Sequence, residues 1–234
     1  MLYLTAAEAI SVKKLHIGNE VSPLLVVDNF IEQTSELIDW ASHQTFSKNS
    51  PYYPGVRTEA PLTYQQCLLS TLQTTLVDFF QLPSAQLRFS VCHFSVVTTP
   101  PEELTLLQRI PHFDSIESSG LAAVHYLFKA DIGGTSFYRH RKTGFETINE
   151  SRRVTYFRSL ESENGGPNMP KTSDGYINGD TALYERIAEQ SALFNRLIVY
   201  RRNALHSGSI SPDFNFSQDP RIGRLTISSF IDCI

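Results

Sequence analysis

A histidine and an aspartate stand two residues apart in the segment "RIPHFDS", as His112 and Asp114. On an extended chain, side chains two positions apart point to the same side. An imidazole nitrogen and a carboxylate oxygen can then converge on one metal ion. His206, which follows the apolar run "NRLIVY", is the candidate for a third ligand. Two histidines and one carboxylate leave half of the coordination sphere of Fe(II) open to a co-substrate and O₂.

The H-x-D pattern is weak evidence by itself, because short combinations of polar residues recur by chance. A surface loop, or a core histidine hydrogen-bonded to a nearby aspartate, would give the same pattern. Asp114 and His206 are 92 positions apart in the sequence. Only the fold could bring them together, which requires a rigid scaffold with the site at its mouth.

The composition restricts the class of protein. The chain has 234 residues, of which 41% are hydrophobic, enough for one domain or one domain with insertions. A formal net charge of -4 and the lack of a basic run argue against a nucleic-acid partner. No apolar run approaches the ~20 residues of a membrane span, and the N-terminus lacks a secretion signal. Cys67, Cys92 and Cys233 show no C-x-x-C spacing, which favours reduced thiols. We therefore expect a soluble cytoplasmic protein that contacts no membrane.

Helical and strand-like patterns are segregated along the chain. Capping residues and apolar spacing predict helices at about 34–44 and 62–82, after a β-rich run at 23–31. A further helix is predicted at 179–194, capped by Asp180 or Thr181. Strand-like runs dominate after residue 85, at about 85–97, 119–128, 135–141, 195–200 and 223–232. This predicts an α+β fold, with residues 1–84 as helical support and residues 85–234 as a β-sandwich core, all in a single domain 1–234.

Two polar segments allow more than one interpretation. Residues 142–178 show no regular pattern and are either a solvated insertion or a lid that recognises an anionic or polar substrate. The loop before the helix at 62–82 is rich in proline, and its polar-tipped side chains either pack as in an ordinary loop, which we favour, or line a pocket mouth. The cations in and just before the first segment are Arg139, Arg141, Lys142, Arg152, Arg153 and Arg158, and the loop residues are Tyr52, Tyr53 and Arg57.

The order of motifs resembles a known group of enzymes. H-x-D is followed by an apolar strand ending in Tyr126-Leu127, then by "GGTSF", by "NRLIVY" leading into His206, and by "GRLTIS". In this order the chain is similar to the Fe(II)- and 2-oxoglutarate-dependent dioxygenases, in particular their prolyl-4-hydroxylase-like branch. The resemblance covers roughly residues 85–234, with a gap at the polar segment. It implies a double-stranded β-helix, or jelly-roll, core, and we expect a bacterial member.

The resemblance implies roles for individual residues. His112, Asp114 and His206 would be the catalytic iron ligands, with neutral imidazoles and an ionised carboxylate. Arg224, in the terminal strand-like run, would bind the distal carboxylate of 2-oxoglutarate, because a guanidinium matches a carboxylate with two parallel hydrogen bonds. Arg221 is a weaker rival, because it precedes that run.

Other residues around the co-substrate follow from the same resemblance. Tyr126 occupies the position of a tyrosine that hydrogen-bonds the co-substrate. Thr226 and Ser228 alternate with Arg224 onto one face of a strand, so that either could add a hydroxyl donor. Gly133 and Gly134 match the Gly-Gly turn of the family, which we interpret as structural.

The resemblance implies hydroxylation of a small-molecule or peptidyl substrate. This oxidation would be coupled to conversion of 2-oxoglutarate to succinate and CO₂. Two alternatives stay open: a cupin-like metal-binding jelly roll without 2-oxoglutarate chemistry, and a non-catalytic binding protein with a vestigial site. The long interval between His206 and Arg224 and the polar segment 142–178 depart from the family pattern. The sequence leaves the substrate unidentified and a homodimer open.

Overall fold

A computed structural model describes residues 2–211 and 214–234. The described residues form three α-helices, α1 (Thr34–Ser42), α2 (Leu62–Phe79) and α3 (Glu150–Glu163). Their strands are β1 (Ser11–Ile17), β2 (Ser22–Asp28), β3 (Gly55–Glu59), β4 (Leu87–Val97), β5 (Leu121–Tyr126), β6 (Thr135–His140), β7 (Tyr184–Gln190), β8 (Arg196–Arg201), β9 (His206–Gly208) and β10 (Leu225–Cys233).

The strands make two antiparallel sheets that pack together as a double-stranded β-helix. The larger sheet has the order β1-β2-β8-β5-β10-β4-β3, and the smaller has the order β7-β6-β9. Neighbours in the sheet are often distant in sequence, so long connections join the two layers. Strands β9 and β10 lie in different sheets.

The outer face of the larger sheet is the one that packs on α1 and α2. Side chains alternate across a strand, so Leu225 and Ile227 of β10 point to this face and are fully buried. They pack in one cluster with Leu68, Leu72 and Leu76 of α2. Each buried leucine stabilises the fold by about 1.5–3 kcal/mol, so this cluster is the main support of the sheet. None of the described helices is long and apolar enough to cross a bilayer.

The inner face of the larger sheet points to the smaller sheet. Tyr126, Ile198 and Tyr200 on this face pack in a cluster with Phe137 of β6. The far face of the smaller sheet is covered in turn by α3, whose Tyr156 hydroxyl lies 2.8 Å from the Tyr184 hydroxyl. The candidate site lies toward the inner face, between two layers that are both packed from behind.

The prediction of a helix at 179–194 is wrong. Tyr184–Gln190 forms β7 and pairs with β6, from Thr135 opposite Gln190 to His140 opposite Tyr184. Glutamate, arginine and alanine favour a helix in isolation, but pairing with a neighbouring strand overrides that weak local preference.

The N-terminal third is less helical than predicted. The helices at 34–44 and 62–82 are present as α1 and α2, and the β-rich run at 23–31 is present as β2. However, β1 and β3 also form there, and β2 lies inside the larger sheet between β1 and β8. Residues 1–84 therefore contribute strands to the sheet as well as supporting it.

Residues 142–178 contain a helix that the sequence pattern did not indicate. The side chain of Asn149 caps α3 by accepting a hydrogen bond from the Arg152 backbone N–H at 3.2 Å. Few residues of α3 are buried, so its apolar face is too narrow to give a clear periodic signal.

His125 is buried on the outer face of the larger sheet. Its ring stacks on Tyr64 of α2 with centroids 5.8 Å apart, and its Nε2 lies 3.0 Å from Oδ1 of Asn195. Asn195 also accepts a hydrogen bond from the Ile31 backbone N–H and donates one to the Ile31 carbonyl. Burial lowers the pKa of His125 to about 4, although the hydrogen bond with Asn195 opposes this shift. The histidine is therefore neutral at pH 7.

Acid should destabilise the protein through His125. In the unfolded chain this histidine takes up a proton near its ordinary pKa of 6.5, but in the folded chain only near pH 4. The unfolded state thus binds more protons between these values, and stability is lost as the pH falls from 6.5 toward 4, by about 3 kcal/mol for this group. Urea unfolding at about pH 7.5 and about pH 4.5 should show a smaller loss for His125→Phe than for the wild type.

The matched control is His43→Phe, because His43 is exposed. This variant should keep the pH dependence of the wild type. An equal loss of unfolding free energy in the wild type and in His125→Phe would contradict the assignment.

Candidate metal centre

The backbone brings His112 and His206 directly opposite each other. Each backbone N–H donates to the carbonyl of the other residue at 2.9 Å, which makes an antiparallel bridge. The backbone N–H of Asp114 donates to the Arg202 carbonyl at 2.8 Å, so residues 112–114 run alongside residues 202–206. Opposed residues and residues two apart share one side of such a ribbon. His112, Asp114 and His206 therefore point the same way.

The donor atoms of these three side chains are close enough to share one ion. Nε2 of His112 lies 3.7 Å from Oδ1 of Asp114, and Nε2 of His206 lies 3.6 Å from Oδ2. One donor atom from each residue lies within 4.8 Å of the other two. Ligand distances of about 2.0–2.2 Å, as zinc shows with nitrogen and oxygen, fit such separations. The donor set thus suits a divalent metal with open coordination positions.

Each of the two histidines can offer a ring nitrogen to a metal. Nδ1 of His206 lies 3.0 Å from the Ala204 carbonyl, which favours a proton on Nδ1 and leaves the lone pair of Nε2 free. The side chain of His112 is 54% exposed, so its ring is accessible to solvent. Desolvation, and then the neighbouring His206, lower the pKa of His112 to about 4. A histidine must be neutral to bind a metal, and His112 is neutral at pH 7.

Aromatic side chains surround the three donors. The ring of Tyr200 lies 4.7 Å from that of His206, between centroids, and burial raises the pKa of this tyrosine well above its usual value. Phe113 points away from the donors and packs on Tyr156 and Phe157 of α3, at 6.1 and 6.0 Å. Helix α3 thus holds the segment 112–114 from behind.

The cations of the polar segment are mostly neutralised within the protein. Arg152 pairs with Glu20 at 2.7 Å, and Arg139 pairs with both Glu146 and Glu185. Among the described residues only Arg158 of the six forms no ion pair. These charges therefore bind the segment to the rest of the chain, which does not support a lid that recognises an anion. The remaining pairs are Arg141 with Asp180, Lys142 with Glu163 and Arg153 with Glu150.

Arg224 is buried on the inner face, immediately before β10. Only 5% of its surface is exposed, and its Nη2 donates to the Gly134 carbonyl at 2.8 Å. Its guanidinium lies over the rings of Phe128 and Tyr126, at 5.3 and 5.9 Å from their centroids, and its Nε has no hydrogen-bond partner. Burial lowers the pKa of Arg224. Within the described chain no carboxylate pairs with this cation, which is the environment of an anion-binding residue.

The Gly-Gly turn allows this arrangement. A Cβ at Gly133 would lie 1.4 Å from the Ser209 carbonyl oxygen, and φ at this residue is +91°. A Cβ at Gly134 would lie 1.8 Å from the Gln190 carbonyl oxygen. Both glycines are therefore required by close backbone contacts next to Arg224, in agreement with the structural role we predicted.

The three predicted hydroxyl-bearing residues lie on the same face as Arg224. The hydroxyl of Tyr126 lies 2.7 Å from that of Thr135. Thr226 is opposite Tyr126 in the neighbouring strand, and its hydroxyl donates to the Ser95 carbonyl at 3.4 Å. Ser228 lies two residues further along β10, opposite Val124 and His93. Tyr126 and Thr226 are thus nearer to Arg224 than Ser228 is in the register of the sheet.

Sequence reasoning missed or undervalued three residues near these groups. The Tyr53 hydroxyl is buried, and burial raises its pKa against the opposing effects of neighbours that include Ser95 and Thr226. The guanidinium of Arg57 lies 4.0 Å from the Tyr53 ring centroid. The sequence places both residues in the proline-rich loop, where it favours ordinary packing over the lining of a pocket mouth. The Tyr176 hydroxyl donates to the Thr99 carbonyl at 2.7 Å. It lies in the irregular polar segment, where no sequence signal marked it.

Comparisons with known proteins agree with this fold. A model of a family described as "Family of unknown function (DUF6445)" matches residues 8–231. No curated protein sequence matches the chain. HygX from Streptomyces hygroscopicus with nickel, 2-oxoglutarate and hygromycin B is similar with a TM-score of 0.52 and 10% identity, over 91% of this chain and 84% of that one. The HygX structure with nickel and 2-oxoglutarate has a TM-score of 0.50 and 12% identity over the same shares.

The epimerase SnoN from nogalamycin biosynthesis, described as non-heme and alpha-ketoglutarate-dependent, is also similar, with a TM-score of 0.46 and 13% identity over 86% of this chain and 71% of that one. At such identities the likeness to HygX shows a shared fold. The predicted α+β fold with a double-stranded β-helix core is therefore confirmed.

Removing any one of the three donors should abolish tight metal binding. His112→Ala, Asp114→Ala and His206→Ala should each weaken Mn(II) binding by more than about 100-fold, because loss of a direct ligand costs more than loss of an outer partner. Electron paramagnetic resonance of free Mn(II) measures this directly. The control is His43→Ala, which breaks an exposed His–Asp pair of similar spacing, 3.8 Å, and should leave binding unchanged. Wild-type affinity in any of the first three variants would exclude that residue as a ligand.

Proposed function

The chain belongs to this family of unknown function, DUF6445, and for it we propose an Fe(II)- and 2-oxoglutarate-dependent oxygenase activity. The reaction would hydroxylate a substrate and release succinate and CO₂. One observation carries the proposal: a His-Asp-His donor set and a buried arginine without a carboxylate partner occur together on the inner side of one jelly roll. The order of motifs supports the prolyl-4-hydroxylase-like branch of these enzymes.

His112, Asp114 and His206 would hold the metal. The HygX structures, whose fold this chain shares, contain nickel and 2-oxoglutarate, which supports a site of this kind. When bound, Fe(II) and 2-oxoglutarate would supply the oxidative chemistry, in which decarboxylation of the co-substrate drives oxidation of a substrate C–H bond. The protein contributes position, charge and the exclusion of water.

The donor atoms are held in place before any ligand arrives. The paired hydrogen bonds between His112 and His206 fix two of the residues, and the Arg202 carbonyl fixes the backbone of Asp114. The Ala204 carbonyl fixes the ring of His206. Donors fixed by the backbone lose little entropy on binding, which favours an exact coordination geometry.

Arg224 would bind the far carboxylate of 2-oxoglutarate. Its buried charge is costly without an anion, because a cation taken out of water loses its hydration. One hydrogen bond to the Gly134 carbonyl orients the guanidinium and leaves further N–H donors available. The nearby hydroxyls of Tyr126, Thr226 and Tyr53 would donate hydrogen bonds to the same carboxylate.

Two other functions use the same fold differently. A cupin-like metal-binding jelly roll would keep the three donors but have no use for a buried unpaired arginine. A non-catalytic binding protein would need neither. The combination of the donor set with Arg224 favours the oxygenase.

Substitution of Arg224 should weaken co-substrate binding. Removing one partner of a buried charge pair costs about 2–5 kcal/mol, so Arg224→Gln should bind 2-oxoglutarate about 30-fold to 5,000-fold more weakly. Calorimetric titration of 2-oxoglutarate into the Mn(II)-loaded protein without O₂ measures the affinity, and succinate release with Fe(II) and O₂ measures turnover. Arg221→Gln is the matched control, because Arg221 is exposed and pairs with Asp39 at 3.1 Å.

The outcomes separate the three functions. Binding of both Mn(II) and 2-oxoglutarate supports the oxygenase, metal binding alone supports the cupin-like protein, and binding of neither supports a non-catalytic role. Wild-type affinity in Arg224→Gln would show that a different residue binds the co-substrate.

A further inference from the structure

A second arginine, Arg57, shares the inner face with Arg224. In the sheet register Arg57 of β3 lies opposite Ser95, Ser95 lies opposite Thr226, and Thr226 lies opposite Tyr126. Opposed residues in antiparallel strands point to the same face, so this row of four side chains is directed inward. Val56, next to Arg57, packs on the opposite side in the outer-face cluster, as the alternation of side chains requires.

The backbone of Arg57 is held from both sides. It pairs with β4 on one side and forms two hydrogen bonds with Ser47 on the other, at 2.9 and 3.0 Å. The guanidinium lies 4.0 Å from the centroid of the Tyr53 ring, so one of its faces is covered and its N–H edge is left to meet a partner. Among the described residues, the buried Nε of Arg57 has no hydrogen-bond partner.

This cation lies close enough to the metal donors to affect them. Desolvation and then the charge of Arg57 lower the pKa of His93. Desolvation also lowers the pKa of Arg57 itself, and the charges of Tyr53 and then Asp114 oppose this shift. Yet no described carboxylate lies within ion-pair distance of Arg57, and Asp114 makes its only such contacts with the two histidines.

The charges of a loaded site leave Arg57 without compensation. A divalent ion and Arg224 together carry three positive charges, and these balance the carboxylate of Asp114 and the 2-oxoglutarate dianion. Among the groups that face the site, the positive charge of Arg57 is then in excess, in a place where it is largely removed from water. Glu59, two residues along β3, is exposed and forms no ion pair with Arg57 among the described residues. A buried cation is retained at low cost only when an anion pairs with it. One further negative charge is therefore needed to balance the site loaded with metal and 2-oxoglutarate.

We propose that Arg57 binds a carboxylate of the substrate that the oxygenase would oxidise, and that this substrate is therefore a carboxylic acid. This assignment rests on the proposed oxygenase function. A carboxylate supplies one negative charge and two coplanar oxygens, which match the free edge of the guanidinium stacked on Tyr53. A phosphate would bring more charge than the site lacks. A residue inside a peptide chain could supply the carboxylate for Arg57 only from an acidic side chain.

The test uses the full chain loaded with Mn(II) and 2-oxoglutarate in the absence of O₂. The probes are carboxylic acids, aliphatic, aromatic and amino-acid, each paired with its primary amide. Broadening of ligand NMR signals by the bound Mn(II) reports binding next to the metal. At least one acid should bind better than its amide, and Arg57→Gln should weaken that acid by about 30-fold or more while Mn(II) and 2-oxoglutarate affinities stay unchanged.

Two further variants control for charge and shape. Arg158→Gln removes the same charge from an exposed arginine that has no ion pair among the described residues, and it should bind the acid as the wild type does. Arg57→Lys keeps the charge but loses the planar fork, and its affinity should lie between those of the wild type and Arg57→Gln.

Three results would overturn the assignment: no acid binds better than its amide, the acid binds equally well to Arg57→Gln, or Arg57→Gln loses affinity for 2-oxoglutarate instead. A wild-type protein that fails to bind Mn(II) and 2-oxoglutarate counts against the oxygenase itself. A loaded complex without preference for acids counts against the role of Arg57 alone.

Discussion

Two backbone hydrogen bonds, exchanged between His112 and His206, determine the geometry of the site. They convert residues 94 positions apart into cross-strand neighbours, and the pleat then directs both side chains to one side. Asp114 joins them because it lies two residues further along the same extended segment. The rest of the structure keeps this ribbon in place: Phe113 packs on α3, and the smaller sheet supports β9.

The arginines of this chain divide into two groups by their partners. Those around α3, such as Arg139 and Arg152, pair with glutamates and fasten loops to the surface of the smaller sheet. Arg57 and Arg224 face inward and pair with no described carboxylate. Burying a charge without its counterion is unfavourable, and natural proteins retain it mainly where a ligand supplies the opposite charge. The contrast supports the proposed ligand-binding region without any reference to relatives.

The sequence predicted features that depend on local spacing and failed for features that depend on distant partners. The apolar face of Leu62–Phe79 and the H-x-D pair are local, and both could be identified. At Tyr184–Gln190 the local sequence pattern predicts a helix, because nothing in these residues themselves indicates that they pair with β6. Tyr176 could not be found either, since only the folded chain brings it near Arg224.

The place of β3 in the sheet has an evolutionary consequence. Arg57 lies on β3, a border strand of the larger sheet, next to a proline-rich loop and bonded on its other side to Ser47, whereas Arg224 leads directly into β10, an inner strand of the same sheet. A border strand tolerates insertions and drift that a central strand does not. Under the proposed oxygenase function, the preference for one substrate over another can therefore diverge at this rim while the metal-binding residues are inherited unchanged.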